Sequence, residues 1–395
     1  MDDFEPREVG ARAGALRRAD FLRGAAVAGA GATALGPLLV DQAAAHGRAR
    51  KGDRDARERG IYCHLTRILW ITVNVSDLER SVDFYERTYP VTRAERTNGP
   101  AQSFGSLGIE HGQFEGRVMR DSQPFQGRAL HLVQWKSPGP VGEPYKEANH
   151  VGFYRHHASA TQSGLTDRYE NVLAQGGRPY GPPSFIFTTP TSGTNAFAFL
   201  DPDGTTLEWV GAIEPNPAGR PDNLSAYNAN CRDLRRSYRF YRDVMGQAIS
   251  GRLDPVIPQA PDSASLGNLL RNPDGSVYTG LIDFDAVITG YRADFRNLHD
   301  LLEWQMPRPF GKPYEAPNNL GSVNVAWEVD DIRASYDKLV RLGIRGIGRG
   351  LLKHPEEWDM GEYGTRKVLN FRDPDGIMIQ LHERPASTAV EPISP

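Results

Sequence analysis

Val73-Asn74-Val75-Ser76-Asp77-Leu78-Glu79-Arg80-Ser81-Val82-Asp83-Phe84-Tyr85 reads as a strand running into a helix. Ser76 and Glu79 have the spacing of a capping box at the start of that helix. The stretch occurs twice. Asn228-Ala229-Asn230-Cys231-Arg232-Asp233-Leu234-Arg235-Arg236-Ser237-Tyr238-Arg239-Phe240-Tyr241 repeats Asp-Leu-x-x-Ser-x-x-Phe-Tyr in register. A second pair of strand–helix units begins at His150-Val151-Gly152-Phe153-Tyr154 and at Asn324-Val325-Ala326-Trp327-Glu328. Their helices are expected near 167–175 and 332–342. Gly176 and Gly343 follow them as left-handed caps. Both units close on the same hairpin turn, Asp201-Pro202-Asp203-Gly204 and Asp373-Pro374-Asp375-Gly376, each leading into a strand. Gln134-Trp135 with the Pro/Gly-rich run to Tyr145 matches Glu303-Trp304 with the run to Tyr314. The chain is therefore one two-module unit written twice, over 64–214 and 218–386.

Outside the repeats the sequence changes character. Arg17-Arg18-Ala19-Asp20-Phe21-Leu22-Arg23 precedes a bland Ala/Gly/Val/Leu stretch that ends at Ala43-Ala44-Ala45. Residues 1–45 resemble a twin-arginine export signal, with one extra residue between the arginine pair and Phe-Leu. Residues 46–63 read as a solvated linker and 387–395 as a tail. An exported protein is expected in the periplasm, cell envelope or medium. It should have no stable membrane association once the signal is removed, because the stretch is too weakly apolar for an anchor. The 46 Lys+Arg nearly balance 49 Asp+Glu, which argues against a nucleic-acid partner. Two cysteines in 395 residues exclude a disulfide scaffold and a Cys-rich zinc site, so any metal must be held by His and carboxylates.

The repeated Asp-Leu-x-x-Ser-x-x-Phe-Tyr and Asp-Pro-Asp-Gly motifs resemble the vicinal oxygen chelate superfamily, the glyoxalase, bleomycin-resistance and extradiol-dioxygenase group. The resemblance covers everything but the signal, linker and tail. It implies an α+β fold in which tandem βαβββ modules pair into two open barrels around cupped sites. It also implies metal ligands on the first and last strand of each paired module. In the N-terminal unit those positions fall at Trp70, His131, His150 and Glu208. Trp cannot ligate a metal, which leaves His131, His150 and Glu208. In the C-terminal unit they fall near Ala226, Asp300 (beside His299), Asn324 and Gln380, a poor donor set.

Two imidazoles and a carboxylate with open positions suit non-haem Fe(II), with Mn or Zn as alternatives. Trp70 and Tyr154, the latter on the face of His150, are expected to line a substrate pocket. His156 and His157 read as loop residues at the end of that strand. The leading expectation is a metal-dependent oxidoreductase of dioxygenase type acting on a small oxygen-chelating molecule, aromatic or phenolic. A Mn- or Zn-dependent lyase or isomerase of glyoxalase type is the first alternative. A non-catalytic small-molecule binding or resistance protein is the second.

Overall fold

The computed structural model describes residues 65–121, 128–187, 193–212, 222–253, 269–291, 294–347 and 350–385. The signal, the linker and the tail expected from the sequence lie outside these residues. Four modules follow one another. Module 1 is β1 (Leu65–Asn74), α1 (Leu78–Thr88), β2 (Val91–Arg96), β3 (Gln102–Phe104), β4 (Ile109–Asp121) and β5 (Ala129–Ser137). Module 2 is β6 (Gly152–Thr161), α2 (Leu165–Ala174), β7 (Arg178–Pro179), β8 (Ser184–Phe187), β9 (Gly193–Leu200) and β10 (Thr206–Ala212). Module 3 is β11 (Asn223–Asn230), α3 (Leu234–Asp243), β12 (Gln247–Leu253), β13 (Asp283–Tyr291) and β14 (Asp294–Met306). Module 4 is β15 (Gly321–Val329), α4 (Ile332–Arg341), β16 (Glu356–Asp359), β17 (Thr365–Arg372) and β18 (Met378–Glu383).

The modules build two nine-stranded sheets. One runs β16-β17-β18-β15-β1-β5-β4-β2, with β3 on β4. The other runs β12-β13-β14-β11-β6-β10-β9-β7, with β8 on β9. Consecutive modules were expected to share a sheet, and they do not. Module 1 joins module 4 through antiparallel β1 and β15, and module 2 joins module 3 through antiparallel β6 and β11. Each first strand lies beside the last strand of its own module, as β1 does beside parallel β5. Its other edge is left for a partner. The central strands are covered on both faces, so β15 is buried at every residue.

Consecutive modules meet by another device. The Asp-Pro-Asp-Gly turn of module 2 sits on the N-terminus of α1. Ser76 donates from its N–H and its hydroxyl to Asp203, at 2.9 and 2.5 Å. Arg80 pairs with Asp203 at 2.6 Å, and Tyr85 donates to Asp201. Modules 3 and 4 repeat this: Arg232 N–H, Arg236 and Ser237 hold Asp375, and Tyr241 donates to Asp373. A carboxylate beside a helix N-terminus is favoured by the orphan N–H groups there. The expected Ser76–Glu79 box is thus replaced. Asp77 is the N-cap, accepting from Arg80 N–H, and Ser76 faces the neighbouring module. Gly176, Gly343, Gly204 and Gly376 all have positive φ, as their cap and turn positions require.

Four modules joined alternately by strand edges and helix–turn contacts close into a ring. The segments after β5 and β14 cross at its centre. Tyr145 stacks on its own counterpart Tyr314, with centroids 3.8 Å apart and planes 6° apart. A residue that touches its repeat-equivalent lies on the pseudo-twofold axis. Asn74 and Asn230, also equivalent, pin these segments. Asn74 Nδ2 donates to Pro317 and Asn319 carbonyls, and Asn230 Nδ2 to those of Ala148 and His150. Among the described residues no helix is long and apolar enough to cross a membrane.

Candidate functional site: two unlike cups

Residues opposite each other on neighbouring strands project to the same face of a sheet. In the first sheet Thr72 lies opposite both Asn324 and His131, and Ala326 lies opposite Trp70 and Gln380. In the second, Asn228 lies opposite Arg155 and Asp300, and His157 lies opposite Ala226 and Glu208. The two registers are equivalent position by position. Thr72 corresponds to Asn228, Trp70 to Ala226, His131 to Asp300, Asn324 to Arg155, Ala326 to His157, and Gln380 to Glu208.

The first cup, shared by modules 1 and 4, is neutral and filled. Trp70 is buried, its ring 4.9 Å from His131 and 5.2 Å from His382. Phe104, Phe114, Trp135 and Trp358 pack into the same cluster. His131 Nε2 is 2.7 Å from Thr97 Oγ1, and burial pushes its pKa down to about 3. An imidazole at neutral pH is therefore uncharged there. Gly116 permits this contact, since a Cβ at that position would fall 2.2 Å from Thr97 Oγ1 and 2.7 Å from His131 Nε2. Gln380 donates to Asn370 and lies 2.6 Å from His382 Nε2. What remains is a cavity of about 30 Å³ beside Thr72, Asn74, His131, Asn324 and Gln380. Thr72 Oγ1, Asn74 Oδ1 and Asn324 Oδ1 have no protein partner. That space suits an ordered water or two.

The second cup, shared by modules 2 and 3, is charged. Arg155 donates to Glu208 Oε1 at 2.7 Å, with both side chains buried. His157 Nε2 lies 3.3 Å from Glu208 Oε2 without forming a hydrogen bond. Asn228 donates to Asp300 Oδ2 at 3.3 Å, and Asp300 Oδ1 is buried without a partner. Burial pushes the Asp300 carboxyl up to about 7; Arg155 and Asn228 pull it back, and the Glu208 charge adds a further upward push. Burial, then the Arg155 charge, holds His157 well below its usual range. An apolar group from Leu302, Trp304, Phe284 and Ala286 carries the same face toward module 3's outer strands.

The expected triad does not assemble. His131 is in the first cup and Glu208 in the second, because the modules that carry them belong to different sheets. His150 precedes β6 rather than lying on it. Its ring stacks on Tyr145 at 3.9 Å, meets Phe310 edge-on, and rests on Gly311, where a Cβ would fall 2.0 Å from its Nε2. Trp70 meets His131 at 4.9 Å, but both are buried in the filled first cup, Trp70 as part of its aromatic cluster. The Tyr154 side chain lies outside the described residues. His156 and His157, expected in a loop, are strand residues. His157 faces the second cup, and His156 reaches Ser322 Oγ at 2.6 Å. The misplacement has a single source. Aligning modules 2 and 4 on Gly152 and Gly321, both at positive φ, sets Arg155 against Asn324, and His150 falls in the preceding segment.

The residues do not fit a metal. Among the described residues no three His, Cys, Asp or Glu side chains are grouped to hold an ion. In the first cup Trp70 covers His131, and in the second the Arg155 cation already bonds the carboxylate.

A family model described as the Glyoxalase/Bleomycin resistance protein/Dioxygenase superfamily matches residues 67–209 and 223–381. Among solved structures, a variant of glyoxalase I from Zea mays aligns with TM-score 0.50 at 17% identity, covering 80% of this chain and 92% of that one. The unmodified Zea mays glyoxalase I gives 0.49 at 16% identity, with 80% and 92% covered. A glyoxalase family protein from Bacillus cereus covers 37% of this chain and 94% of its own, at 14% identity and TM-score 0.32. A search of curated proteins finds no match.

Proposed function

Because the chain belongs to the glyoxalase, bleomycin-resistance and dioxygenase superfamily, we propose that it acts on a small oxygen-bearing molecule in the cup of modules 2 and 3, by proton transfer of the isomerase or lyase kind. The observation that carries this reading is Asp300: a buried carboxyl with a free oxygen, beside the Arg155–Glu208 pair, where Ala226 replaces the bulk of Trp70. A carboxyl held near pH 7 exchanges protons effectively at physiological pH. Arg155 supplies positive charge where an enolate or oxyanion would develop, and a preformed buried charge stabilises such a species far more than water does. Glu208 holds the guanidinium in place. His157 and Asn228 flank the two carboxylates.

The dioxygenase reading calls for Fe(II) on His131, His150 and Glu208. With these three apart, it has less support than proton transfer. In the same reading the protein is exported: the arginine pair and small-residue stretch of 1–45 act as its signal.

The test needs no knowledge of the product. The full chain is incubated in D₂O with a panel of α-hydroxyketones and α-keto acids, and loss of carbon-bound protons is followed by NMR. Exchange is expected with the wild-type chain and should fall by about 10²-fold or more in Asp300→Asn. Its rate should rise with pH through about 7, as Asp300 loses its proton. Tight binding without exchange would move the protein to the non-catalytic binders. Fe(II)-dependent O₂ uptake would restore the oxidoreductase.

A further inference from the structure

The two halves of the ring differ on their helix side as well as in their cups. In each half the second helix reaches the C-terminal end of the first. In modules 3 and 4 the reaching residue is Lys338 of α4, a buried side chain that donates to the Val244 and Asp243 carbonyls at 3.1 and 3.5 Å. In modules 1 and 2 the equivalent residue of α2 is Asn171, whose shorter amide donates to the Arg87 carbonyl at 2.6 Å. Beside it lies an open cavity of about 360 Å³. Small-molecule sites span roughly 300–1,000 Å³. Buried Tyr89, Pro90 and Trp209 line its inner side. The negative groups around it are engaged. Glu86 accepts from the N–H and Nε of Arg93, both at 2.7 Å, and Asp222 pairs with Arg168 Nε at 2.5 Å. The Thr88 carbonyl accepts from Trp209 Nε1, as the Arg87 carbonyl does from Asn171. The positive groups are not engaged to the same degree. Among the described residues the Arg87 side chain has no acceptor, and Arg168 is paired through Nε alone. The Arg168 guanidinium carbon lies 5.9 Å from the centre of the Trp209 ring. A guanidinium held at one edge by a carboxylate and laid on an indole keeps its other edge for a planar anion. The counterparts of Arg87, Arg168 and Trp209 in modules 3 and 4 are Asp243, Ser335 and Leu381. A requirement of the shared scaffold would recur in both halves, and this arrangement does not.

We infer that this cavity between modules 1 and 2 binds a small carboxylate-bearing molecule, its carboxylate held by the Arg168 and Arg87 guanidiniums and its body against the inner wall. The site lies behind the second cup and is separate from it. Trp209 follows Glu208 on β10, so the two side chains leave opposite faces of the sheet. Tyr89 Oη donates to the backbone carbonyls of His156 and Glu208 at 2.8 and 3.2 Å, which fixes the wall of the cavity to the strands that carry the cup. The inference does not depend on the chemistry proposed for the cup, and either can fail without the other.

The experiment is calorimetry on the full chain, with benzoate and succinate as probes and inorganic phosphate for comparison. At least one carboxylate is expected to bind at one site per chain, with an affinity that falls as salt rises. Phosphate should bind more weakly, since it has no body to lay against the wall. Arg168→Gln and Arg87→Gln should each weaken carboxylate binding by about 10-fold or more. Arg168→Lys keeps the charge without the planar fork and should recover only part of the loss. Asp300→Asn, in the cup across the sheet, should leave the affinity unchanged. Melting curves give a second measurement that holds even where a variant is less stable. The bound carboxylate should raise the melting temperature of wild type and Asp300→Asn but not that of Arg168→Gln, since a ligand of the folded state stabilises it. No heat and no rise in melting temperature with either carboxylate at about 10 mM would overturn the inference. So would an affinity that Arg168→Gln or Arg87→Gln leaves unchanged, one that Asp300→Asn abolishes, or phosphate binding more tightly than both carboxylates.

Discussion

Two cups of one repeated design have taken opposite courses. At equivalent positions the first carries Trp70, His131, Asn324 and Gln380, and the second carries Ala226, Asp300, Arg155 and Glu208. The bulky ring has also changed sides. Trp70 faces Ala326 in one cup, and His157 faces Ala226 in the other. The first cup packs an aromatic core around a shielded imidazole and gains stability from burial. The second keeps charges in a buried place, where they cost stability unless they are paired. A fold tolerates such a cost most readily where function needs it. The duplicated sites thus differ in kind: one is packed as a core, and the other is the cup to which the proposed function assigns the chemistry.

The sharpest way to break that comparison is to remove the equivalent last-strand residues. Glu208→Ala leaves the Arg155 cation buried without its carboxylate and should cost about 3–5 kcal/mol. Gln380→Ala removes two neutral contacts, to Asn370 and His382, and should cost about 1–3 kcal/mol. Urea unfolding of both variants measures the difference. Equal losses would mean that the two cups are held alike.

A subtler test uses His131 and Asp300, which occupy the same position in the two cups but titrate in opposite senses. His131 has its pKa lowered to about 3 in the fold. Unfolded, near 6.5, it takes up a proton first as pH falls, so its contribution to stability is lost between about pH 6.5 and 3. Asp300 is raised to about 7. Its unfolded form ionises near 3.9, so the stability tied to its protonated form is present below that value and is lost as pH rises through 7. Asp300→Asn should therefore gain on wild type by about 1–3 kcal/mol between pH 5 and 8. His131→Asn should flatten the acid limb instead. Unfolding titrations against wild type isolate each residue from the other buried acids and imidazoles. Parallel curves would remove the distinction between the cups.

Much of this was legible in the sequence, and the limits of the reading are physical. The repeat, the α+β class, the helix caps and the Asp-Pro-Asp-Gly turns are encoded locally, by Gly and Pro backbone preferences and by strand and helix periods. Pairing between modules is not local. The first strands β1 and β6 carry no mark that says which other first strand will lie beside them. Long-range contacts, of Asp203 with Ser76 and Arg80 and of Asp375 with Arg236 and Ser237, show that consecutive modules meet through helix and turn, which leaves the strand edges for modules 1 with 4 and 2 with 3. His131 and Glu208 lie on the last strands of their modules, as read, but those strands belong to different sheets. Asp300, named in the half taken to be inactive, lies in the same cup as Glu208. No spacing singles out Arg155 in the sequence, because Arg is not a ligand and its neighbours align through His150.

His150 offers the smallest effect and a decisive one. Its half-buried ring stacks on Tyr145 at 3.9 Å and rests on Gly311, in the crossing segment near the pseudo-twofold axis. A stacked aromatic pair contributes about 0.5–1.5 kcal/mol beyond its burial, so His150→Ala should destabilise the fold only slightly. Deuterium exchange should be unchanged, since the ring reaches neither cup. His157→Ala, seven residues on, should instead slow exchange, because that imidazole lies 3.3 Å from Glu208. The two histidines thus separate the readings. A metal triad through His150 requires the first substitution to abolish activity and the second to spare it, whereas the charged cup requires the reverse.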